Sequence, residues 1–298
     1  MHSGEILEPP LPPGRAVELP GRGTTFVREQ PGPPGGPVVM LLHGLSGTAD
    51  LNWYPVFGPL SRYARVIALD HRGHGRGIRT PARFRLADCA DDAVALADVF
   101  GIDRFVAVGY SMGGPIAQLI WYRHRARLDG LVLAATSRNF RGRPRDRLVF
   151  LTLPAVSVGA RAVPVRTFRD VAEHWLVGRS ADPRLRAWAQ REMGRHDIRL
   201  LLDAAGAVGR FSSHEWVGDI DVPTSVIVTT QDQLVAPHRQ LKLAESIPHA
   251  VTDFVNGDHY AVVRAPDRFV HTLVRAVRRV ARPPHGLVVR ASGQSLRP

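Results

Sequence analysis

One serine in the sequence stands where a nucleophile would be displayed. Ser111 lies in the segment Gly109-Tyr110-Ser111-Met112-Gly113, between a short apolar run and a stretch with helical periodicity. A tight turn from strand to helix holds such a serine in strained backbone geometry, and the residues two positions away must be small. The spacing predicts Ser111 as a nucleophile at the carboxyl edge of a sheet, with Gly109 and Gly113 as structural support.

A serine hydroxyl needs a general base to accept its proton and an acid to orient that base. His259 follows the apolar run 250–255. The other histidines after Ser111 lie in predicted helices, in residues 137–219, just before a strand or in the tail. Asp232 follows the preceding strand-like run. We therefore predict His259 as the base and Asp232 as the acid.

The loop that begins at His43 follows the first buried strand and could supply donors for a developing oxyanion. It can turn the backbone N–H of Leu45 toward the nucleophile. Together with the N–H of Met112, at the start of a helix, this would make a two-donor oxyanion hole. His43 and Gly44 are predicted to be structural, and Ser46 is a candidate hydrogen-bond donor to the substrate.

These residues require elements that bring strand ends together. Short β-branched or apolar runs alternate along the chain with longer segments of helical period. The predicted strands are 24–29, 38–42, 65–69, 104–108, 130–134, 224–229 and 250–255, and the predicted helices are 53–62, 86–100, 112–123, 238–246 and 266–280. Such alternation predicts βαβ units, and hence an α/β fold with a mostly parallel, doubly wound sheet.

The alternation also predicts the domain organisation. Residues 24–136 and 220–282 should form the core, and residues 137–219 should form an insertion of helical fragments broken by prolines. Residues 1–23 are rich in proline, which cannot donate a backbone hydrogen bond, so they are predicted to be a flexible arm. Residues 283–298 are predicted to be a flexible tail.

Taken together, the motifs resemble the α/β-hydrolase-fold family, in its esterase- and lipase-like branch. The resemblance runs over residues 24–280 and keeps the family's order of serine, acid and histidine. It rests on His43-Gly44, Asp70-His71-Arg72-Gly73-His74-Gly75, Gly109-Tyr110-Ser111-Met112-Gly113-Gly114, Asp232 and His259. The resemblance implies a scaffold role for Asp70 and a helical cap at 137–219. A serine at the turn disfavours epoxide hydrolases and haloalkane dehalogenases, which need a carboxylate nucleophile.

The predicted function is hydrolysis of a carboxylic ester, or a related acyl bond, through an acyl-enzyme on Ser111. No metal ion or organic cofactor is expected. Acyl transfer, C–C bond hydrolysis and cofactor-free perhydrolase or haloperoxidase chemistry remain open on the same triad. A non-catalytic ligand-binding receptor of the same fold also remains open.

The insertion could shape the substrate site. Trp175 and Trp188 are candidates for lining an apolar pocket, although tryptophans also fill the contacts between helices. Arginine outnumbers acidic residues in the insertion. This excess fits either a solvated loop or the attraction of an anionic substrate. We expect a small ester or acyl substrate that is apolar, with an anionic one as the alternative.

Composition excludes several other classes of protein. The 298 residues carry a formal net charge of +12, but the basic residues are dispersed and Lys242 is the one lysine, so nucleic-acid binding is not expected. A single cysteine, Cys89, excludes a disulfide framework. No apolar run reaches 18 residues, so no membrane span is predicted. Residues 1–23 are rich in proline and lack the apolar centre of a signal peptide, so no secretory signal is predicted. We expect a cytoplasmic protein of undetermined oligomeric state.

Overall fold

The computed structural model describes residues 8–140 and 182–281, with an eight-stranded sheet at its centre. The strands are β1 (Gly14–Leu19), β2 (Gly23–Gln30), β3 (Val38–Leu42), β4 (Arg65–Leu69), β5 (Phe105–Tyr110), β6 (Leu128–Ala134), β7 (Thr224–Thr229) and β8 (Val251–Val255). Their order across the sheet is β1-β2-β4-β3-β5-β6-β7-β8. The six strands from β4 to β8 pair in parallel, whereas β2 pairs antiparallel with β1 and β4.

Helices cover both faces of this sheet. They are α1 (Ala49–Trp53), α2 (Phe57–Ser61), α3 (Leu86–Val99), α4 (Gly113–His124), α5 (Pro183–Met193), α6 (Ile198–Arg210), α7 (Pro237–Ser246), α8 (Ala261–Arg264) and α9 (Pro266–Val280). Met40 and Leu42 of β3 join a core with α3, α4 and α7, while Val39 and Leu41 join a second core with α2 and α9. Side chains alternate between the faces of a strand, so a continuous apolar run serves two cores. The predicted fold class is confirmed.

The sequence-based expectation of a flexible arm over residues 1–23 is wrong for the segment that forms β1. This segment pairs antiparallel with β2, from Gly14 opposite Arg28 to Leu19 opposite Gly23. Val17 and Leu19 are buried on the core face. The prolines at 9–13 end before β1 begins, and the following residues alternate between exposed and buried positions, which is the strand pattern that proline content obscured.

The predicted helix 53–62 is also corrected. The structure has two short helices there, and α1 begins earlier, with the Thr48 side chain accepting a hydrogen bond from the N–H of Leu51. Pro55 lies just after the end of α1. A proline restricts the residue before it and cannot continue a helix, so the chain bends before α2.

The described part of the predicted cap, residues 182–219, is helical. Asp182 and Asp197 cap the N-termini of α5 and α6 with their side chains. The N–H of Asp197 donates to the carbonyl of Gly73, which joins this segment to the loop after β4. Residues 141–181, and the predicted tail 283–298, lie outside the described residues.

Candidate active site

Ser111 lies at the turn between β5 and α4, where the backbone φ angle is +52°. Few residues other than glycine adopt this left-handed conformation, so its surroundings must hold it. The N–H of Ser111 donates to the carbonyl of Ala134 at 3.0 Å. Its own carbonyl accepts the Thr136 hydroxyl at 2.8 Å. Bonds to the end of β6 therefore stabilise the strained serine.

The flanking glycines explain why the motif tolerates no larger residues. A Cβ atom added to Gly109 would lie 2.3 Å from the carbonyl oxygen of Gly113, and one added to Gly113 would lie 2.0 Å from that of Leu42. Both distances are far below van der Waals contact. The start of α4 therefore packs directly against the ends of β5 and β3, as the structural role predicted for these two glycines requires.

The structure brings the three predicted triad residues together. The loop after β8 carries His259, and its Nε2 lies 2.9 Å from Ser111 Oγ. The loop after β7 carries Asp232, and its Oδ2 lies 2.7 Å from His259 Nδ1. Asp232 and His259 are 3% and 9% exposed. A carboxylate can only accept hydrogen bonds, so Nδ1 bears the proton and Nε2 remains the acceptor for the serine hydroxyl.

Asp232 accepts four further hydrogen bonds. Oδ1 accepts the N–H groups of Leu234 and Val235 at 2.9 and 2.8 Å. Oδ2 accepts the Thr229 hydroxyl at 2.8 Å and the Gln240 amide at 3.1 Å. A buried carboxylate without such donors would be strongly unfavourable. Thr229 and Gln240 therefore fix the acid in its buried position.

Two hydrogen bonds stabilise the loop that carries His259, one to strand β5 and one within the loop. The hydroxyl of Tyr110, the residue before the serine, donates to the His259 carbonyl at 2.7 Å. Asp258 accepts the N–H of Tyr260 at 2.8 Å and so caps the turn that contains His259. Tyr110 thus connects the nucleophile strand to the loop of the base.

The loop after β3 lies against the nucleophile. A Cβ atom added to Gly44 would be 3.3 Å from Ser111 Cβ, and Leu45 lines a cavity shared with Ser111. Met112 is the N-cap residue of α4. Within residues 8–140 and 182–281, neither the N–H of Leu45 nor the N–H of Met112 donates a hydrogen bond. Their role as oxyanion donors stays a prediction.

The buried side chains of His43 and Asp70 stabilise the loop after β3 and its neighbours. His43 donates from Nδ1 to the carbonyl of Gly44 at 2.8 Å and accepts the N–H of His71 at Nε2. Burial lowers the pKa of His43 well below its usual value, so the ring stays neutral and can make both bonds. Asp70 accepts the N–H groups of Ala49 and Arg76 at 2.7 and 2.8 Å.

Ser46 is the residue after Leu45, and its backbone is in the left-handed region with a φ angle of +61°. Its carbonyl accepts a hydrogen bond from Nε2 of His196, a residue of the helical insertion, and Nδ1 of that ring accepts the N–H of Gly75. Burial lowers the pKa of His196 to about 4, which keeps the ring neutral for both contacts. A role for the Ser46 hydroxyl in substrate binding stays a prediction.

Trp188, one of the two candidate tryptophans, does not reach the serine. Trp188 on α5 is 2% exposed and packs against Leu51 and edge-on against Tyr54. It fills the contact between the insertion and α1 and does not line the cavity at Ser111, so its assignment as a pocket residue is corrected. Trp175 lies outside the described residues.

A cavity of about 40 Å³ adjoins Ser111. Its lining residues are Gly44, Leu45, Gly47, Leu51, Asn52, Tyr110, Ser111, His259, Tyr260, Val262 and Val263. A larger open groove of about 1000 Å³ lies between α2 and α9 and shares none of these residues. Because Ser111 and His259 line the smaller cavity, this cavity is the candidate substrate-binding site.

Residues 8–140 and 182–281 contain neither a metal-binding cluster nor a helix that could span a membrane. No group of three His, Cys, Asp or Glu side chains there is arranged to hold a metal ion. No helix in the same ranges combines the length and apolar character needed to cross a membrane.

Four residues around the site were not identified from the sequence. They are Asn52, Tyr110, Thr229 and Gln240. Thr229 lies three residues before Asp232, a spacing that lets side chains meet in a tight turn. Asn52 and Gln240 stand on the buried faces of short helices. Such polar residues among apolar neighbours are the one signal in the sequence that could have found them.

The chain is similar to known hydrolases. A sequence model described as the alpha/beta hydrolase fold matches residues 37–174. A Variovorax paradoxus protein named carbamate hydrolase RutD is 30% identical over 263 residues, covering 85% of this chain and 96% of that protein. A hydrolase structure from Pseudomonas aeruginosa has a TM-score of 0.77 at 22% identity, covering 88% and 97% of the two chains. A Thermogutta terrifontis esterase structure has a TM-score of 0.76 at 21% identity, covering 91% and 100%.

Proposed function

The chain belongs to the α/β-hydrolase-fold family, and from this premise we propose that it is a serine hydrolase that cleaves a carboxylic ester or a related acyl bond. One observation carries the proposal. The His259 ring lies between Asp232 and Ser111, with hydrogen bonds of 2.7 and 2.9 Å. A serine whose hydroxyl is bonded to a neutral, carboxylate-oriented imidazole is an activated nucleophile.

The reaction proceeds in two acyl-transfer steps. Ser111 Oγ attacks the carbonyl carbon while His259 Nε2 takes the hydroxyl proton. Asp232 keeps the ring oriented and stabilises the imidazolium that forms. When the tetrahedral intermediate collapses, His259 returns the proton to the leaving group, and an acyl-enzyme remains on Ser111. Water then repeats the sequence and releases the acid.

The oxyanion formed in both steps is assigned to the N–H groups of Leu45 and Met112. Neither group donates a hydrogen bond within residues 8–140 and 182–281, and Met112 precedes the N-terminus of α4. Donors that are fixed before the reaction stabilise the developing charge without reorganising. Loss of one such donor lowers kcat by roughly 10²–10³-fold in serine hydrolases.

Carbamate cleavage is a second candidate, because the Variovorax paradoxus relative is named as a carbamate hydrolase. A carbamate would use the same residues. Its nitrogen donates electron density to the carbonyl, so the carbamoyl-enzyme would react with water more slowly than an acyl-enzyme. The two substrates therefore differ in the second step.

The experiment measures p-nitrophenyl butyrate hydrolysis by the wild type, Ser111→Ala and a matched control, Ser61→Ala, in which the serine lies on α2. Activity should vanish in Ser111→Ala and persist in the control. Undiminished hydrolysis by Ser111→Ala would overturn the proposal. Phenyl N-methylcarbamate separates the two substrate classes, since repeated turnover supports a carbamate hydrolase, while release of one equivalent of phenol per protein supports an esterase.

A further inference from the structure

Asn52, on α1, touches the loop that faces the nucleophile. It is 7% exposed, and its Oδ1 accepts the N–H of Gly44 at 3.0 Å. Leu45, the next residue of that loop, carries one of the proposed oxyanion donors. The acceptor half of the Asn52 amide therefore helps to fix the position of this loop.

The donor half of the same amide has no partner. Nδ2 of Asn52 is buried and makes no hydrogen bond with residues 8–140 or 182–281. A buried donor left unpaired costs roughly 1–3 kcal/mol, and buried polar groups in native proteins are nearly always paired. Of the unpaired buried side-chain atoms in these ranges, this is the one whose residue lines the cavity at Ser111.

The remaining walls of the cavity do not compete for this donor. Leu51, Val262 and Val263 are apolar. The hydroxyl of Tyr110 already donates to the His259 carbonyl. Apart from the nucleophile Ser111, Tyr260 supplies the other hydroxyl in the wall. A substrate group that enters thus meets apolar surface and the side chain of Asn52, whose buried Nδ2 makes no hydrogen bond with residues 8–140 or 182–281.

The size of the cavity limits what can enter. A water molecule needs about 10–15 Å³ of this kind of volume. The cavity of about 40 Å³ therefore has room for a group of only a few non-hydrogen atoms. A short acyl chain therefore fits within the described walls.

We propose that Asn52 determines substrate specificity by donating from Nδ2 to an oxygen atom within a short acyl group bound in this cavity. The preferred substrates are then short acyl groups that carry an ether, hydroxyl or carbonyl oxygen, in preference to alkyl groups of equal length. This assignment rests on the proposed serine hydrolase function. A site with an unpaired donor favours the oxygen-bearing substrate, because the plain alkyl group leaves that donor buried and unsatisfied.

The test compares two p-nitrophenyl esters whose acyl groups have the same number of non-hydrogen atoms. Methoxyacetate has an ether oxygen where butyrate has a methylene group. The measured quantity is kcat/KM for methoxyacetate divided by kcat/KM for butyrate, in the wild type and in Asn52→Leu. The difference in intrinsic reactivity between the esters cancels when the two ratios are compared.

Asn52→Leu should lower this ratio about fivefold or more, the effect of losing one hydrogen bond. Loss of the bond to Gly44 alone would slow both esters equally and leave the ratio unchanged, so an unchanged ratio overturns the proposal. Tyr260→Phe removes the other hydroxyl from the cavity wall and should leave the ratio within about twofold, below the effect of one hydrogen bond. A fivefold fall in Tyr260→Phe would assign the role to Tyr260 and overturn it for Asn52.

If Asn52→Leu does not fold, as judged by circular dichroism, Asn52→Ala replaces it with the same expected fall in the ratio.

Two outcomes separate this inference from the proposed function. If the wild type hydrolyses both esters and Ser111→Ala hydrolyses neither, the proposed function stands whatever the ratio shows. If the wild type hydrolyses neither ester, both the function and the inference fail.

Discussion

Two buried aspartates lie at the same edge of the sheet, and their hydrogen-bond partners differ in kind. Asp232 follows β7 and is bonded to the His259 ring, the Thr229 hydroxyl and the Gln240 amide at Oδ2. Asp70 follows β4, and its two oxygens accept backbone N–H groups of Ala49 and Arg76. Both side chains are almost fully buried.

An acid that takes part in chemistry therefore differs in its partners from an acid that stabilises a loop. Two partners at Oδ2 of Asp232, the Thr229 hydroxyl and the His259 ring, can either donate or accept, whereas backbone groups of Thr229 and Val235 fix the Gln240 amide. A backbone N–H can only donate. The environment of Asp232 is therefore coupled to the protonation of a ring that touches Ser111, whereas that of Asp70 is fixed by the main chain.

The largest effect is expected for Asp232→Asn. The asparagine NH₂ group would face the ring, so the stable tautomer would place the proton on Nε2, where it cannot accept from Ser111. We expect kcat to fall on the order of 10⁴-fold, as when the triad acid is amidated in other serine hydrolases. The melting temperature should fall less than in Asp70→Asn, because the Thr229 hydroxyl and the His259 ring can reverse their roles at Oδ2. Ester kinetics and thermal unfolding measure the two, and near-normal kcat would contradict the assignment of Asp232.

Asp70→Asn should give the opposite pattern. Its NH₂ group would face a backbone N–H that cannot accept, which leaves a buried donor unpaired and costs about 2 kcal/mol of unfolding free energy. Urea unfolding measures this loss. The activity of the folded variant should fall less than about tenfold, because Asp70 contacts no reacting group. A 10⁴-fold loss of kcat in a stable Asp70→Asn protein would remove the distinction between the two aspartates.

Gln240→Met tests a residue that acts through Asp232. Gln240 is 0% exposed and donates to both Asp232 Oδ2 and the Val235 carbonyl. We expect kcat to fall about tenfold with KM unchanged, as one hydrogen bond to the carboxylate is lost. The same change in the Asp232→Asn background should have little further effect on kcat. Independent losses in the two backgrounds would show that Gln240 acts by another route.

The smallest effect concerns acid stability. Burial lowers the pKa of His43, His71, His74 and His196, so the unfolded chain binds more protons and the free energy of unfolding falls as the pH drops below about 6.5. Burial raises the pKa of Asp70 to about 6 from 3.8, so between these values the folded chain binds the extra proton. Acidification below pH 6 therefore gains stability from Asp70 and loses it from the histidines.

Asp70→Asn lacks the opposing contribution. Between pH 7 and pH 5 the unfolding free energy of this variant should fall by about 1 kcal/mol more than that of the wild type. The reason is that Asp70 stabilises the wild type over the one pH unit below its pKa of about 6. Urea unfolding at the two pH values measures the difference. Equal losses in the two proteins would show that Asp70 does not titrate in this range.

The sequence predicts the parallel core and the positions of Ser111, Asp232 and His259, because apolar runs mark the strands and each residue follows one. Gln240 escapes this reasoning, since its contact with Asp232 depends on how α7 packs against β7, and Thr229 escapes it because its contact depends on the shape of the turn after β7. β1 was missed because its strand pattern follows a proline-rich stretch. Trp188 could not be placed either, since a tryptophan in a cap and one in a helix contact look alike in sequence.

The central claim is that His259 and Asp232 activate Ser111 in the folded protein. Peptide mass spectrometry after treatment with a fluorophosphonate measures this activation site by site. We predict one equivalent of label on the peptide containing Ser111 in the native wild type, and almost none in urea or in His259→Ala. Labelling at another serine, or an unlabelled Ser111 in protein that still hydrolyses esters, would contradict the account.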